Sequence, residues 1–186
     1  MPMTHIDVGA ILHTSFDGVD TNLVTRATGR TVRTQIEAHL AGGQPGSVSI
    51  IDFSKVGLLD FSCADEIVAT LMRQCADSPG DDRYLLFSGI TDGHLDAIES
   101  VLLKHKLALV VRYTGLGALR LVGVVNDAER VVWEAVVRLQ PAGAARIADE
   151  TGLNEEDVRT SLGALHRRRL LMKDGAMYLA PVNTLA

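Results

Sequence analysis

The fold is decided by the stretch SIIDFSKVGLLDFSCADEIV, residues 49–68. An apolar run from Val48 to Ile51 follows the Gly- and Pro-containing residues 42–46, and this pattern predicts a turn and then a buried central strand. The chain breaks at residues 55–57, and from Ser62 onward apolar residues recur at helical spacing. The stretch therefore predicts a strand, a loop and the start of a helix.

Ser62, at the predicted helix start, has two interpretations. With Asp65 three residues later it has the form of a capping box, in which the hydroxyl accepts from an early amide and the carboxylate reaches back. A serine at a helix N-terminus is also where an added phosphate would meet free amides and the positive end of the helix dipole. Local sequence leaves both interpretations open.

Strands and helices alternate through the first two thirds of the chain. This alternation predicts an α/β layer in which helices pack on a sheet whose inner strands are parallel. The Gly-x-Gly within residues 113–118 lacks the third glycine of a dinucleotide fingerprint and is interpreted as a turn or interdomain hinge. Strands are predicted at 5–15, 48–52, 84–87, 107–111 and 119–125, helices at 28–41, 62–76 and 92–106, and a surface loop at 77–82.

From Asn126 the pattern predicts three helices and a hairpin. Asn126 with Glu129 is a helix start signal, and this first helix ends near Pro141. A short helix over 144–150 and a third helix capped by Asn154 follow, and two helices joined by such a turn are typical of a helix-turn-helix. Asp174-Gly175, flanked by apolar runs, predicts a two-residue hairpin turn.

The segments Ile51-Asp52-Phe53-Ser54, Val56 and Asp60-Phe61-Ser62 resemble the central strand, loop and helix start of STAS domains. The resemblance spans roughly residues 20–115, and in STAS anti-sigma factor antagonists a partner kinase phosphorylates the serine at the place of Ser62. The closer match is a STAS-like branch of bacterial domains marked by Ser-Phe-Ala-Asp-Glu, here residues 62–66, SCADE. Antagonists usually carry Gly and an apolar residue after the serine, whereas Asp65 and Glu66 here would repel a phosphate on Ser62.

Residues 127–182 resemble the winged-helix domains of bacterial transcription regulators, with the segment AARIADETGL at 144–153 carrying the likeness. In such domains the third helix enters the major groove and the hairpin wing touches the DNA backbone. The resemblance therefore implies a set of DNA-binding candidates on the third helix and the wing: Asn154, Arg159, Thr160, Arg167, Arg168, Arg169 and Lys173.

Other features of this region oppose DNA binding. Residues 155–157, Glu-Glu-Asp, stand where base-reading side chains belong, although they also suit the helix dipole. The basic residues 167–169 have two interpretations of equal weight, as phosphate contacts or as a solvated helix end. The formal net charge of −5 provides no basic field, and residues 127–186 carry eight Lys and Arg against nine Asp and Glu.

Composition excludes several function classes. The sequence has no apolar run long enough to span a membrane and no signal-peptide pattern, so a cytoplasmic protein with no membrane partner is expected. Cys63 and Cys75 form no metal-binding pattern, and the histidines lack the paired spacing of a zinc site. No enzyme activity, cofactor or metal is therefore expected.

Together these patterns predict an α/β STAS-like domain, a sheet with helices packed on it, over residues 1–120 and a small winged-helix α+β domain over 121–186. The leading hypothesis is a homodimeric bacterial regulator whose first domain senses a signal or docks a protein or kinase and whose second domain binds DNA. The alternative is a protein-interaction adaptor of the anti-sigma factor antagonist type. In both, Ser62 is the candidate switch, within a motif that includes Asp60, Asp65 and Glu66.

Overall fold

The computed structural model describes residues 2–18, 21–77, 83–113 and 118–181. The loop predicted at 77–82 and the hinge predicted at 113–118 therefore lie mostly outside the described residues.

A five-stranded sheet lies at the centre of the described chain, in the order β1-β2-β3-β4-β5. Strands β1 to β4 are parallel, and β5 pairs with β4 in the antiparallel direction. The predicted α/β class and the predicted inner strands are confirmed, because the apolar runs form strands buried on both faces. The strand bounds are β1 Met3–Asp7, β2 Val48–Asp52, β3 Tyr84–Ser88, β4 Ala108–Arg112 and β5 Leu119–Gly123.

The edge strand predicted over residues 5–15 is wrong from residue 8 onward. The strand β1 ends at Asp7, and α1 follows at Val8–Ser15. Asp7 caps this helix by accepting a hydrogen bond from the Ala10 amide at 2.9 Å. Val8, Ile11 and Leu12 are the buried residues, so the decisive spacing was helical and not alternating.

The remaining helices of the first part follow the prediction closely. The helix after the central strand widens into a π-helical turn over Asp65–Ala69, a feature often found at functional sites. The bounds are α2 Arg26–Ala41, α3 Phe61–Ala64, the π-helical turn, α4 Thr70–Asp77 and α5 Asp92–His105.

The C-terminal module, defined here as residues 127–179, consists of α6 Asp127–Leu139, α7 Ala144–Thr151, α8 Glu155–Arg167 and a hairpin. Asn126 and Glu129 form the predicted capping box, and Asn154 caps α8 as predicted. The hairpin strands are β6 Met172–Asp174 and β7 Met177–Leu179. Asp174 pairs with Met177, so the two-residue turn is Gly175-Ala176 and the predicted turn was one residue early.

The sheet buries two apolar cores, one on each face. The helical face, with Ile51, Phe87 and Val111, packs against α1 to α5. The module face, with Ile50, Leu86 and Val110, shares one apolar cluster with buried residues of α6, α7 and α8. Successive strand residues point to opposite faces, so each inner strand supplies both cores.

The predicted domain division at residue 120 falls within β5, which pairs along its whole length with β4. Arg130 of α6 donates a hydrogen bond to the Leu121 carbonyl of this strand at 3.0 Å. The C-terminal module is thus joined to the sheet by chain continuity, by side-chain hydrogen bonding and by a shared core.

Candidate functional site

Ser62 lies in the first turn of α3, but it does not cap the helix as a Ser62–Asp65 capping box would require. The cap is Asp60, whose carboxylate accepts from the Cys63 amide at 2.8 Å. The half-buried Ser62 hydroxyl donates to the two oxygens of the same carboxylate at 2.9 and 3.0 Å. Ser62 and Asp60 therefore act as one hydrogen-bonded pair at the start of α3.

Cys63, next to the candidate switch, is a packing residue. Its thiol is fully buried and donates to the Thr25 carbonyl at 2.9 Å. Burial, together with the Asp60 charge, raises the pKa of Cys63 to about 11. The thiol is therefore protonated at neutral pH and cannot serve as a nucleophile in this state.

Asp65 and Glu66 face a ring of basic side chains from α2 and α5, named here the cation ring after its arginines and Lys104. Asp65 accepts from Arg26, Lys104 and His105, and Glu66 accepts from Arg26, Arg30 and Arg33. Both carboxylates are only 12% exposed, and the closest approach is 2.6 Å from His105 Nε2 to Asp65. Arg26, Arg30 and Lys104 are exposed, whereas Asp65 and Glu66 are nearly buried, so the charges that this ring presents outward are positive.

The cation ring also sets the ionisation of these carboxyl groups. Burial would raise the pKa of Asp65, but hydrogen bonds from His105, Arg26 and Lys104 outweigh it and lower the pKa to about 2. The pKa of Glu66 is likewise lowered, since hydrogen bonds from Arg26 and Arg30 and the nearby arginine charges outweigh the effect of burial. Both groups are therefore ionised at neutral pH.

Exposed apolar side chains lie beside Ser62. The buried Leu23 and Leu59 form a parallel bridge, so Val24 and Leu58, next to them in these extended segments, point outward with 45% and 64% exposure. Phe61 is 41% exposed, and Lys104 Nζ lies 5.2 Å from the centre of its ring. The Ser62 surface is defined here as the set Val24, Arg26, Leu58, Phe61, Ser62 and Lys104.

The loop that presents Leu58 is held by buried His94. His94 Nδ1 accepts from the Thr91 amide, which leaves Nε2 to donate to the Gly57 carbonyl at 2.8 Å. On its other side the loop pairs with residues 21–25, because the Leu23 amide donates to Leu58 and the Asp60 amide to Leu23. The apolar side chains are thus presented on a fixed backbone.

The DNA-binding candidates differ in their contacts and exposure, and not all of them are available to a ligand. Asn154 is used as the α8 cap, and Arg168 donates to Glu129 and to the Val124 carbonyl. Arg169 adopts a left-handed conformation at φ 60° and lies 5.9 Å from the ring centre of Tyr84 in β3. The candidates left on the surface are Arg159, which pairs with Glu155, and Thr160, Arg167 and Lys173.

A metal centre and a membrane-spanning helix are both absent from the described residues. Across residues 2–18, 21–77, 83–113 and 118–181, no group of three His, Cys, Asp or Glu side chains is placed to hold a metal ion. In the same ranges, no helix has the length and apolarity needed to cross a bilayer.

Sequence reasoning named Ser62, Asp60, Asp65 and Glu66 as candidates but did not predict the groups around them. Arg26, Arg30 and Arg33 recur at helical spacing on α2, a signal that could have marked a basic face. Lys104 and His105 lie about 40 positions away in the chain, and nothing local links them to Asp65. The adjacent apolar residues within the loop at 57–61 were a further signal, since loops are usually polar.

No protein-family model matches the chain, and no curated protein matches its sequence significantly.

Proposed function

We propose that this chain is a regulatory protein that docks a partner protein through the Ser62 surface, as the STAS resemblance implies for antagonist-type domains. The observation that carries the proposal is the exposed apolar group Val24, Leu58 and Phe61 beside Ser62, bordered by cations. Protein interfaces commonly combine an apolar centre with a polar rim. The positive rim favours a partner whose docking surface is acidic.

Phosphorylation of Ser62 is the proposed switch. From sequence, Asp65 and Glu66 are expected to repel a phosphate, but both are paired with cations, which reduces that repulsion. Asp60 opposes the modification, because its carboxylate accepts the Ser62 hydrogen bond that the phosphate would replace. A phosphate here would both break this pair and add negative charge to a positive surface, so it would change partner docking strongly.

DNA binding through the C-terminal module, which resembles a winged helix, is the second candidate. Arg159, Thr160, Arg167 and Lys173 are exposed on α8 and the hairpin, as such an interface requires. Two observations oppose DNA binding. Arg168 and Arg169 contact other groups of the chain, Glu129 and the Tyr84 ring, and the first turn of α8 is acidic. The few cations that remain support weak phosphate contact at most.

The docking proposal is tested by placing a photo-crosslinking residue at position 58 in the native host, with the same residue at Val131 as the control. Both side chains are exposed and apolar, but Val131 lies on α6 and outside the Ser62 surface. We expect one protein to crosslink from position 58 and not from 131, and to bind the purified chain. Leu58→Asp should abolish that binding, whereas equal crosslinking from both positions would contradict the proposal.

The two candidates are separated by retention of mixed genomic DNA fragments at low and moderate salt. Salt-sensitive retention of particular fragments that is lost in Arg167→Glu would support DNA binding. Absence of retention at low salt would leave protein docking as the function. If the Ser62→Asp and Ser62→Ala variants bound the crosslinked partner equally well, phosphorylation of Ser62 would be excluded as the switch.

A further inference from the structure

A small cleft lies at the carboxyl ends of the parallel strands, and none of its lining residues belongs to the Ser62 surface. It has a volume of about 250 Å³, and its polar lining consists of His5, Asp52, Ser54, Ser88 and Arg112. In open α/β sheets, ligands commonly bind beyond the carboxyl ends of the strands. The position of the cleft is therefore one where the fold favours a binding site.

The strand sequences place a row of polar side chains at this edge. Strands β2, β3 and β4 each have four buried residues followed by one half-buried polar residue: Asp52, Ser88 and Arg112. The pairing register sets Asp52 beside Ser88 and Ser88 beside Arg112. Because they lie two residues after Ile50, Leu86 and Val110, all three share the module face of the sheet.

Two members of this row lack partners within the part of the chain that the structure describes. Asp52 is engaged, since its carboxylate accepts from the Ser54 amide at 2.9 Å and lies 3.1 Å from His5 Nε2. In the described residues neither the Arg112 guanidinium nor the Ser88 hydroxyl has a hydrogen bond or ion pair. A half-buried guanidinium without a counter-ion is a favourable place for an anion, because Arg presents a fixed fork of donors.

The floor of the cleft is fixed by Gly89, which directly follows β3. Gly89 has φ 68°, and a side chain there would collide with the backbone nitrogen of Ser54 and with the Asp52 carboxylate. The β2 and β3 ends are therefore held in close contact, so Asp52 and Ser88 lie side by side before any ligand arrives. Such preorganisation lowers the entropic cost of binding.

We propose that this cleft binds a small anion that also carries a hydroxyl group, of the phosphate-monoester class. Arg112 and the Ser88 hydroxyl donate to the anionic group, and Asp52, oriented by His5, accepts from the ligand hydroxyl. The cleft is smaller than the roughly 300–1000 Å³ typical of drug-sized ligands, so the ligand has only a few carbon atoms. This site is independent of the proposed docking function.

The test is a titration of the full chain with glycerol 3-phosphate, followed by the amide NMR signals of Ser88, Gly89 and Arg112. We expect saturable shifts at these amides, and none with glycerol, which has the hydroxyls without the anion. Arg112→Gln should weaken binding about tenfold or more, because it removes the positive charge and the fork of donors together. Absence of saturable shifts in the native protein would overturn the proposal.

The matched control is Arg73→Gln, which removes an exposed arginine from α4 on the other face of the sheet. It should bind glycerol 3-phosphate like the native chain. Equal weakening in both variants would indicate nonspecific charge attraction and overturn the proposal. Ser88→Ala removes one hydroxyl without altering charge, so it keeps the test decisive if Arg112→Gln fails to fold: native affinity in Ser88→Ala would also refute the site.

Discussion

Asp60 has two roles at the residue scale, since one carboxylate both caps α3 and accepts the Ser62 hydroxyl. Burial raises the pKa of Asp60, but hydrogen bonds from Cys63 and Ser62 outweigh this effect and lower it. The acceptor is therefore ionised at neutral pH, and hydrogen bonds to an ionised acceptor are stronger than neutral ones. Any modification of the Ser62 hydroxyl must remove its hydrogen bonding to the carboxylate that caps α3, so the switch and the helix start are physically coupled.

Asp60→Ala should lower the free energy of unfolding by about 1–2 kcal/mol, because it removes the helix cap and the Ser62 partner together. Asp60→Asn retains a capping oxygen and should cost less. Urea denaturation of the two variants and the native protein measures the difference. If alanine and asparagine had equal effects, capping by this side chain would not stabilise α3.

Asp65 should make stability depend on acid pH. Its pKa is lowered from the ordinary 3.8 to about 2, so its ionised form favours folding. The contribution, on the order of 2 kcal/mol, is fully present above about pH 4 and is lost as the pH falls towards 2. In Asp65→Asn the unfolding free energy measured by urea titration should fall less steeply over this range than in the native protein.

The matched control for this pH dependence is Asp96→Asn, which alters an exposed carboxylate of α5. In this variant the unfolding free energy should fall between pH 4 and 2 as steeply as in the native protein. If the unfolding free energy of Asp65→Asn also fell with pH as steeply as in the native protein, the cation ring would not stabilise the folded state through Asp65.

At the scale of elements, the sequence correctly predicted those strands and helices that are determined by a local pattern of apolar residues. The apolar runs of β2, β3 and β4 and the spacing of α2 and α5 were sufficient, because a buried strand or an amphipathic helix is encoded within its own residues. The predicted edge strand failed from residue 8 onward because the apolar residues at 8–12 fit both the alternating spacing of a strand and the spacing of a helix. Packing of Val8, Ile11 and Leu12 into the core of the helical face favours the helix. The cation ring could not be predicted, since α2 and α5 reach Asp65 only in the folded chain.

Contact between α2 and α3 depends on Gly29. A Cβ at this position would lie 3.1 Å from the Cys63 Cα and 3.3 Å from its sulfur. Gly29→Val should therefore lower the unfolding free energy by about 1–3 kcal/mol through overpacking, measured by thermal and urea denaturation. It should also disturb the Ser62 surface, since Cys63 adjoins Ser62.

Gly93→Val is the control for this packing effect. Gly93 is also helical, in the first turn of α5, but a Cβ there would have its nearest neighbour at 3.9 Å. The Gly93→Val variant makes the same change in helix propensity without the collision, so its unfolding free energy should be close to that of the native protein. Comparable losses in the two variants would mean that backbone effects, and not the α2–α3 contact, explain the result.

At the scale of the whole molecule, the C-terminal module closes the second face of the sheet. Ile50, Leu86 and Val110 would be exposed without it, and a parallel sheet is normally covered on both faces. Separation of the module from the sheet would expose this core, so a regulatory mechanism based on free movement of the module is disfavoured energetically. A signal at the Ser62 surface is therefore expected to alter docking at that surface and to leave the module in place.

This shared core predicts cooperative unfolding of the sheet and the module. Trp133, the single tryptophan of the chain, is buried in α6 and donates to the Leu170 carbonyl at 3.2 Å, so its fluorescence reports on the module. Urea transitions followed by tryptophan fluorescence and by far-UV circular dichroism should coincide.

Leu86→Ala, which opens a cavity on the module face, should lower the unfolding free energy measured by both probes by the same amount, about 2–5 kcal/mol. Leu103→Ala, at a position 72% exposed, should shift neither appreciably. If the fluorescence transition came first, with the dichroism falling in two steps, the module would be an independent folding unit and its movement away from the sheet would again be a workable mechanism.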